Sequence, residues 1–173
     1  MKTKKQEELV SNYLSELDAE TGSLYGEIIR YLSELGYNPV KQKSSISFKH
    51  NLHNKQIAKI GRGKTHFFSL RFSACRGYSQ RIADIVSAAI VKVTANNPHR
   101  LARCLTVECN YCQGEASTHV YTHTYPDGET KTSCGAFAMK IPNMTSEDIP
   151  EIRQLIKEEH DYLMEHEAEL SVK

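Results

Sequence analysis

Four of the chain's five cysteines, Cys104, Cys109, Cys112 and Cys134, are the residues best suited to chemistry. Thiolates are good ligands for zinc, and two of them separated by two residues reach the same tetrahedral ion. Cys109 and Cys112 have that spacing, and Cys104 precedes them by five residues. Cys134 follows a Thr- and Tyr-rich stretch interrupted by Tyr125-Pro126-Asp127-Gly128. Pro presets a turn and Gly accepts the left-handed position after it, so 117–124 and 129–133 are predicted to be the arms of a β-hairpin. Folding about that turn returns Cys134 to the neighbourhood of residues 119–121, and so to His119. His123 lies four residues nearer the turn, roughly 13 Å along a strand at about 3.3 Å per residue, and is a poorer ligand choice. The expected set is Cys109, Cys112 and Cys134 with Cys104 as fourth ligand and His119 as second choice. Four protein ligands make a structural zinc site; three and a water make a catalytic one.

The run Cys109-Asn-Tyr-Cys112-Gln-Gly114 resembles the knuckle of a zinc ribbon, and Cys134-Gly135 resembles half of a second knuckle. The resemblance implies a turn whose backbone amides face the thiolate sulfurs. A ribbon has two cysteines in its second half and this chain has one, which leaves the fourth position between Cys104 and His119. Two other readings stay open. Free cysteine is commonly a buried packing residue, which also suits the isolated Cys75. A redox pair fits less well, because Gln113-Gly114-Glu115 leads into strand-like sequence where a thioredoxin-like motif would open a helix.

Charge is the second signal. The net charge is only +1, yet Leu35 to Ala83 contains no acid and ten bases: Lys41, Lys43, Lys49, Lys55, Lys59, Arg62, Lys64, Arg71, Arg76 and Arg81. Ser146 to Leu170 reverses this, with nine acids against Arg153 and Lys157. Lys49, Lys59, Arg62, Lys64, Arg71 and Arg76 are the candidate anion-binding residues, on or between strands of one sheet. Gly61-Arg62-Gly63-Lys64 offers backbone amides and two cations in one turn, without the spacing of a P-loop. His66, Phe67 and Tyr78 supply ring faces beside these charges, as in single-stranded nucleic-acid binders. The competing reading is a solvated basic face neutralised by the acidic last helix, within one molecule or across a homodimer.

The remaining histidines carry less. His50 and His53 flank a turn with no carboxylate near them in sequence, which favours an exposed loop over a second metal site. His160 and His166 fall on the acidic segment and are expected to titrate in solvent. Neither Gly-x-Ser-x-Gly nor His-Glu-x-x-His is present, so a nucleophile or a metalloprotease site has no motif behind it.

These residues need a frame, and apolar periodicity provides one. Leu9, Tyr13, Leu14 and Leu17 recur at helical spacing, as do Leu24, Ile28, Tyr31, Leu32 and Leu35 in a second helix that Ser23 is expected to cap and Gly36 to end. Both contain Tyr-Leu-Ser-Glu-Leu, a five-residue match read as two similar helices and not a repeat. Residues 45–49, 55–60 and 65–74 alternate as strands of an antiparallel meander. A long helix starts at Gly77 or Ser79 and ends at Asn96-Asn97-Pro98; a last one starts at Thr145 or Ser146, with Ile149, Ile152, Ile156 and Leu163 on one side.

The fold class is therefore α+β: an antiparallel β-meander packed with helices, a zinc-knuckle-like hairpin and a C-terminal amphipathic helix. The 173 residues suit one domain, divided into a helical pair (1–36), basic meander and helix (40–98), cysteine-rich hairpin (101–142) and acidic helix (145–170). No apolar run approaches the roughly 20 residues of a membrane span, and Met1-Lys2-Thr3-Lys4-Lys5 opens without a secretory h-region. A cytoplasmic address follows, where thiols stay reduced and clustered cysteines favour metal. The expected function is a small zinc-stabilised binding protein whose basic face meets nucleic acid or another anionic ligand. The alternatives are a metal- or cysteine-dependent enzyme acting on a small molecule and a homodimeric interaction protein.

Overall fold

The computed structural model describes residues 3–63, 65–71, 79–85, 88, 120–124, 128, 130–134 and 138–170. They form four helices, a five-stranded antiparallel sheet and a separate two-stranded hairpin. Helix α1 (Lys4–Leu14) begins where the Thr3 hydroxyl accepts from the Gln6 amide, and α2 (Ala19–Glu34) where the Asp18 carboxylate accepts from the Thr21 amide. Ser23 does not cap α2; it lies one turn inside it. Asp18 comes earlier and carries a full negative charge to the dipole's positive end. Those same bonds to Thr21 hold the Asp18 carboxyl below its usual range. Helix α2 ends as expected at Gly36, whose φ of +88° only glycine adopts without strain.

The sheet order is β1 (Tyr37–Lys41), β2 (Ser45–His50), β3 (Gln56–Arg62), β4 (His66–Arg71) and, after a long excursion, β7 (Ala138–Ile141). The expected meander is its middle. The outer strands were not foreseen, and Pro39 explains one of them: proline lacks a ladder donor but is tolerated on an edge strand, which β1 is. Register aligns Pro39 with Phe48, Phe48 with Ala58, and Ala58 with Leu70, while Ile46, Ile60, Phe68 and Ile141 form a parallel row. Phe48, Ala58, Leu70, Ile46, Ile60, Phe68 and Ile141 are all buried. A bulge between Phe48 and Lys49 adds Ile57 to this core beside Ala58.

That apolar face meets the helices. Tyr25, Ile28, Ile29 and Leu32 of α2, Ile82 and Ala83 of α3 (residues 80–85), and Ile152, Leu155, Ile156 and Leu163 of α4 (Ile149–Leu170) join it in one buried cluster. The long helix foreseen from Gly77 or Ser79 to Pro98 is described as helical at 80–85 and at 88; 77–78, 86–87 and 89–98 lie outside the described residues. A 3₁₀ turn, Ser146–Asp148, leads into α4 behind Thr145, whose amide and hydroxyl both donate to the Asp148 carboxylate. The hairpin pairs β5 (Val120–Thr124) with β6 (Thr130–Cys134), and Gly128 in its turn has φ +83°.

Candidate functional site

Of the expected metal ligands, Cys134 is the one within the described residues. Strand register places Cys134 opposite Val120, at the foot of the hairpin and within the stretch expected from the turn. Cys104, Cys109, Cys112 and His119 lie outside the described residues. Among the described residues no three His, Cys, Asp or Glu side chains group as a metal site.

The basic residues separate into two kinds. Arg71 on β4 reaches the fully buried Glu159 of α4 at 3.5 Å, and Arg62 pairs with Glu16 at 2.5 Å. Arg81 is tied to the turn before α4: Nε lies 2.7 Å from Asp148 Oδ1, and its terminal nitrogen donates to the carbonyls of Pro142 and Asn143. Burial pushes the Asp148 carboxyl up, but Arg81 and Thr145 outweigh it and hold the group below the usual carboxylate range. These arginines fasten the basic stretch to acids elsewhere in the fold, with Arg71 alone among them reaching α4. Lys64 and Arg76 lie outside the described residues.

Lys49 and Lys59 belong to the second kind. Alternation puts them on the sheet face opposite the buried row of Phe48, Ala58 and Ile60. Register continues the line across four strands: Ser47 beside Lys59, Lys59 beside Ser69, Ser69 beside Lys140. Lys140 was not singled out from sequence, because β7 was not. Its Nζ lies 4.3 Å from the centre of the Phe67 ring, on this same face. The described strand positions of the face hold Asn38, Val40, Ser45, Ser47, Lys49, Gln56, Lys59, Gly61, Phe67, Ser69, Arg71, Ala138 and Lys140, and no acid. Among the described residues neither Lys49 nor Lys59 has an ion-pair partner. Of the foreseen ring faces, His66 is occupied by Tyr13, edge-on at 5.8 Å with the Tyr13 hydroxyl 3.3 Å from Nδ1, and Tyr78 lies outside the described residues. Phe67 remains.

The histidines overturn their expected placement. His50 is 6% exposed, not a solvent loop, and stacks on His53 with ring centres 4.3 Å apart and planes 16° from parallel. His160 stands 5.7 Å from His50, and its Nδ1 lies 3.3 Å from the hydroxyl of the fully buried Tyr37. Burial lowers the His160 pKa, helped by His50 and Lys157 and opposed by Asp161. Burial also raises Tyr37, as does Glu159. A close approach creates this site. A Cβ on Gly36 would sit 2.9 Å from His50 Nε2, so the residue that ends α2 also makes room for the ring. The His166 side chain lies outside the described residues.

No protein family, curated protein or solved structure matches this chain. Among the described residues no helix is long and apolar enough to cross a membrane.

Proposed function

We propose that the protein is a binding module whose sheet face, opposite the helices, receives the phosphate backbone of an extended polyanion, taken here as single-stranded nucleic acid. The observation that carries this reading is the line Ser47–Lys59–Ser69–Lys140, with Lys49 one step along the next strand and no acid among the described strand positions of that face. Lys59 and Lys140 are two inter-strand spacings apart, about 10 Å between backbones. That separation suits successive groups of an extended chain better than one small phosphate. Phe67 adds a ring to the same face, with the Lys140 ammonium over it.

In this reading Cys104, Cys109, Cys112 and Cys134, or His119 in place of Cys104, hold a structural zinc ion that stiffens the hairpin. Clustered thiols at Cys-x-x-Cys spacing and the placement of Cys134 at the hairpin foot support it. Arg71 and Arg62 act at the margin, since each already has a carboxylate partner.

Titration of a fluorescent single-stranded oligonucleotide at several salt concentrations tests the proposal. Three lysine–phosphate contacts give a log–log salt slope of about −2, at roughly −0.7 per contact. Inorganic phosphate at matched ionic strength competes weakly. A flat salt dependence, or equal binding of inorganic phosphate, contradicts the proposal.

A further inference from the structure

Among its described strand positions, the sheet face opposite the helices holds one aromatic side chain, Phe67 of β4. The core is built without it: Phe68 and Leu70 on the other face are fully buried, while Phe67 is only half-buried. Register sets Phe67 opposite Gly61, and Gly61 opposite Ser45. The missing side chain at 61 lets the ring lie across β3. A Cβ on Gly61 would fall 2.8 Å from Phe67 Cζ, 3.1 Å from Cε1 and 2.9 Å from Ser45 Cβ, so a larger residue there would push the ring away.

Lys140 reaches this ring from β7. Its backbone stands opposite Ser69, two residues along β4 from Phe67. The exposed side chain runs diagonally back and places Nζ 4.3 Å from the ring centre. Long side chains span such diagonals on a sheet, and the ammonium is attracted by the negative face of the ring. The kind of partner matters here. Arg62 meets Glu16 and Lys157 meets Asp161, and each of those carboxylates holds a cation while cancelling its charge. A ring holds the ammonium and leaves the charge intact, and N–H groups directed away from the ring can still donate. An exposed pair of this type adds little to stability, yet it fixes the end of a flexible four-carbon stem. A side chain ordered before its ligand arrives loses less freedom on binding. The ammonium also covers that face of the ring, so the ring acts through the lysine and not by stacking on a base.

We propose that Phe67 is a positioning residue, which holds the Lys140 ammonium in place on the sheet face to receive a phosphate of the bound chain. The assignment rests on the reading of that face as a polyanion-binding surface, and gives one of its cations a fixed seat. Phe67 carries no charge, so it alters affinity without altering how many phosphates are neutralised. Its loss therefore differs in kind from the loss of Lys140.

Two measurements on the full chain test this. The first is carbon–proton NMR of the ligand-free protein, with the Lys140 Hε resonance identified by its disappearance in Lys140→Ala. The ring current should move it upfield in the wild type, and Phe67→Leu should return it to the ordinary lysine position, whereas Phe67→Tyr should leave it shifted. The second is titration of a fluorescent single-stranded oligonucleotide against salt. Phe67→Leu should weaken binding about three- to tenfold with an unchanged log–log slope, and Phe67→Tyr should bind like the wild type. Lys140→Ala should flatten the slope by about 0.7, and adding Phe67→Leu to it should have no further effect. An ordinary Hε position in the wild type overturns the proposal. So does Phe67→Leu binding at wild-type affinity, or losing as much without Lys140 as with it. Should Phe67→Leu not fold, the wild-type resonance decides. Wild-type protein that binds no oligonucleotide refutes the reading of the face, and the Lys140 resonance then judges the seat alone.

Discussion

Replacing Gly36 with alanine tests how the helical pair is joined to the sheet. Two costs arise at one position. The backbone has φ +88°, where a Cβ costs about 1–2 kcal/mol. The new Cβ also falls 2.9 Å from His50 Nε2 and 3.2 Å from Asn51 Oδ1. The imidazole must retreat and lose its bond to the Leu35 carbonyl, which is worth about 1 kcal/mol. Together these give about 2–3 kcal/mol, a drop of roughly 4–12 °C in Tm for a chain of this size. Gly128→Ala is the matched control. Its φ is +83°, yet nothing lies within 4 Å of the added carbon, so only the backbone cost applies. Urea unfolding of both variants separates the two contributions. If Gly36→Ala costs no more than Gly128→Ala, the close packing of His50 against the end of α2 has been misjudged.

Other perturbations have equally definite outcomes. Asp148→Asn leaves Arg81 without its carboxylate and should cost about 1–3 kcal/mol in a denaturant titration at neutral pH. Because the Asp148 pKa is lowered from 3.8, its contribution is complete above that value and fades as pH falls through the folded-state pKa; the gap between wild type and Asp148→Asn must therefore close in acid. Phe68→Ala removes a fully buried ring at the centre of the sheet and should cost about 3–5 kcal/mol by the same titration. Cys112→Ser should release zinc, read by elemental mass spectrometry of the purified protein, and lower the Tm; an unmoved melt means the site is not structural.

Much of the frame was legible because its signals are local. Alternation in Ser45–Lys49 and helical spacing in Ile149–Leu163 each report one buried face, and both were found where expected. The left-handed glycines at 36 and 128 were visible from the patterns around them. What escaped depends on distance along the chain. Strand β7 is four residues long and pairs with β4 across an intervening segment of more than sixty, so nothing near Lys140 announces that it shares a face with Lys59. The histidine cluster joins positions 50, 53 and 160, and only the crossing of α4 over the sheet unites them. A local clue existed in the three-residue spacing of His50 and His53 around a turn, but the absence of nearby acids pointed to solvent exposure. The basic stretch shows the opposite difficulty. Its sequence treats Arg71, Arg81 and Lys59 alike, whereas packing gives the two arginines buried acidic partners and Lys59 no ion-pair partner among the described residues.

The account rests most directly on that lysine face, and oligonucleotide affinity measured against salt for the wild type and for Lys59→Ala/Lys140→Ala addresses it. Loss of two phosphate contacts should weaken binding and flatten the log–log slope by about 1.4, with an unchanged melt. Wild-type slope and affinity retained in the double variant would contradict the assignment of this face as the binding surface.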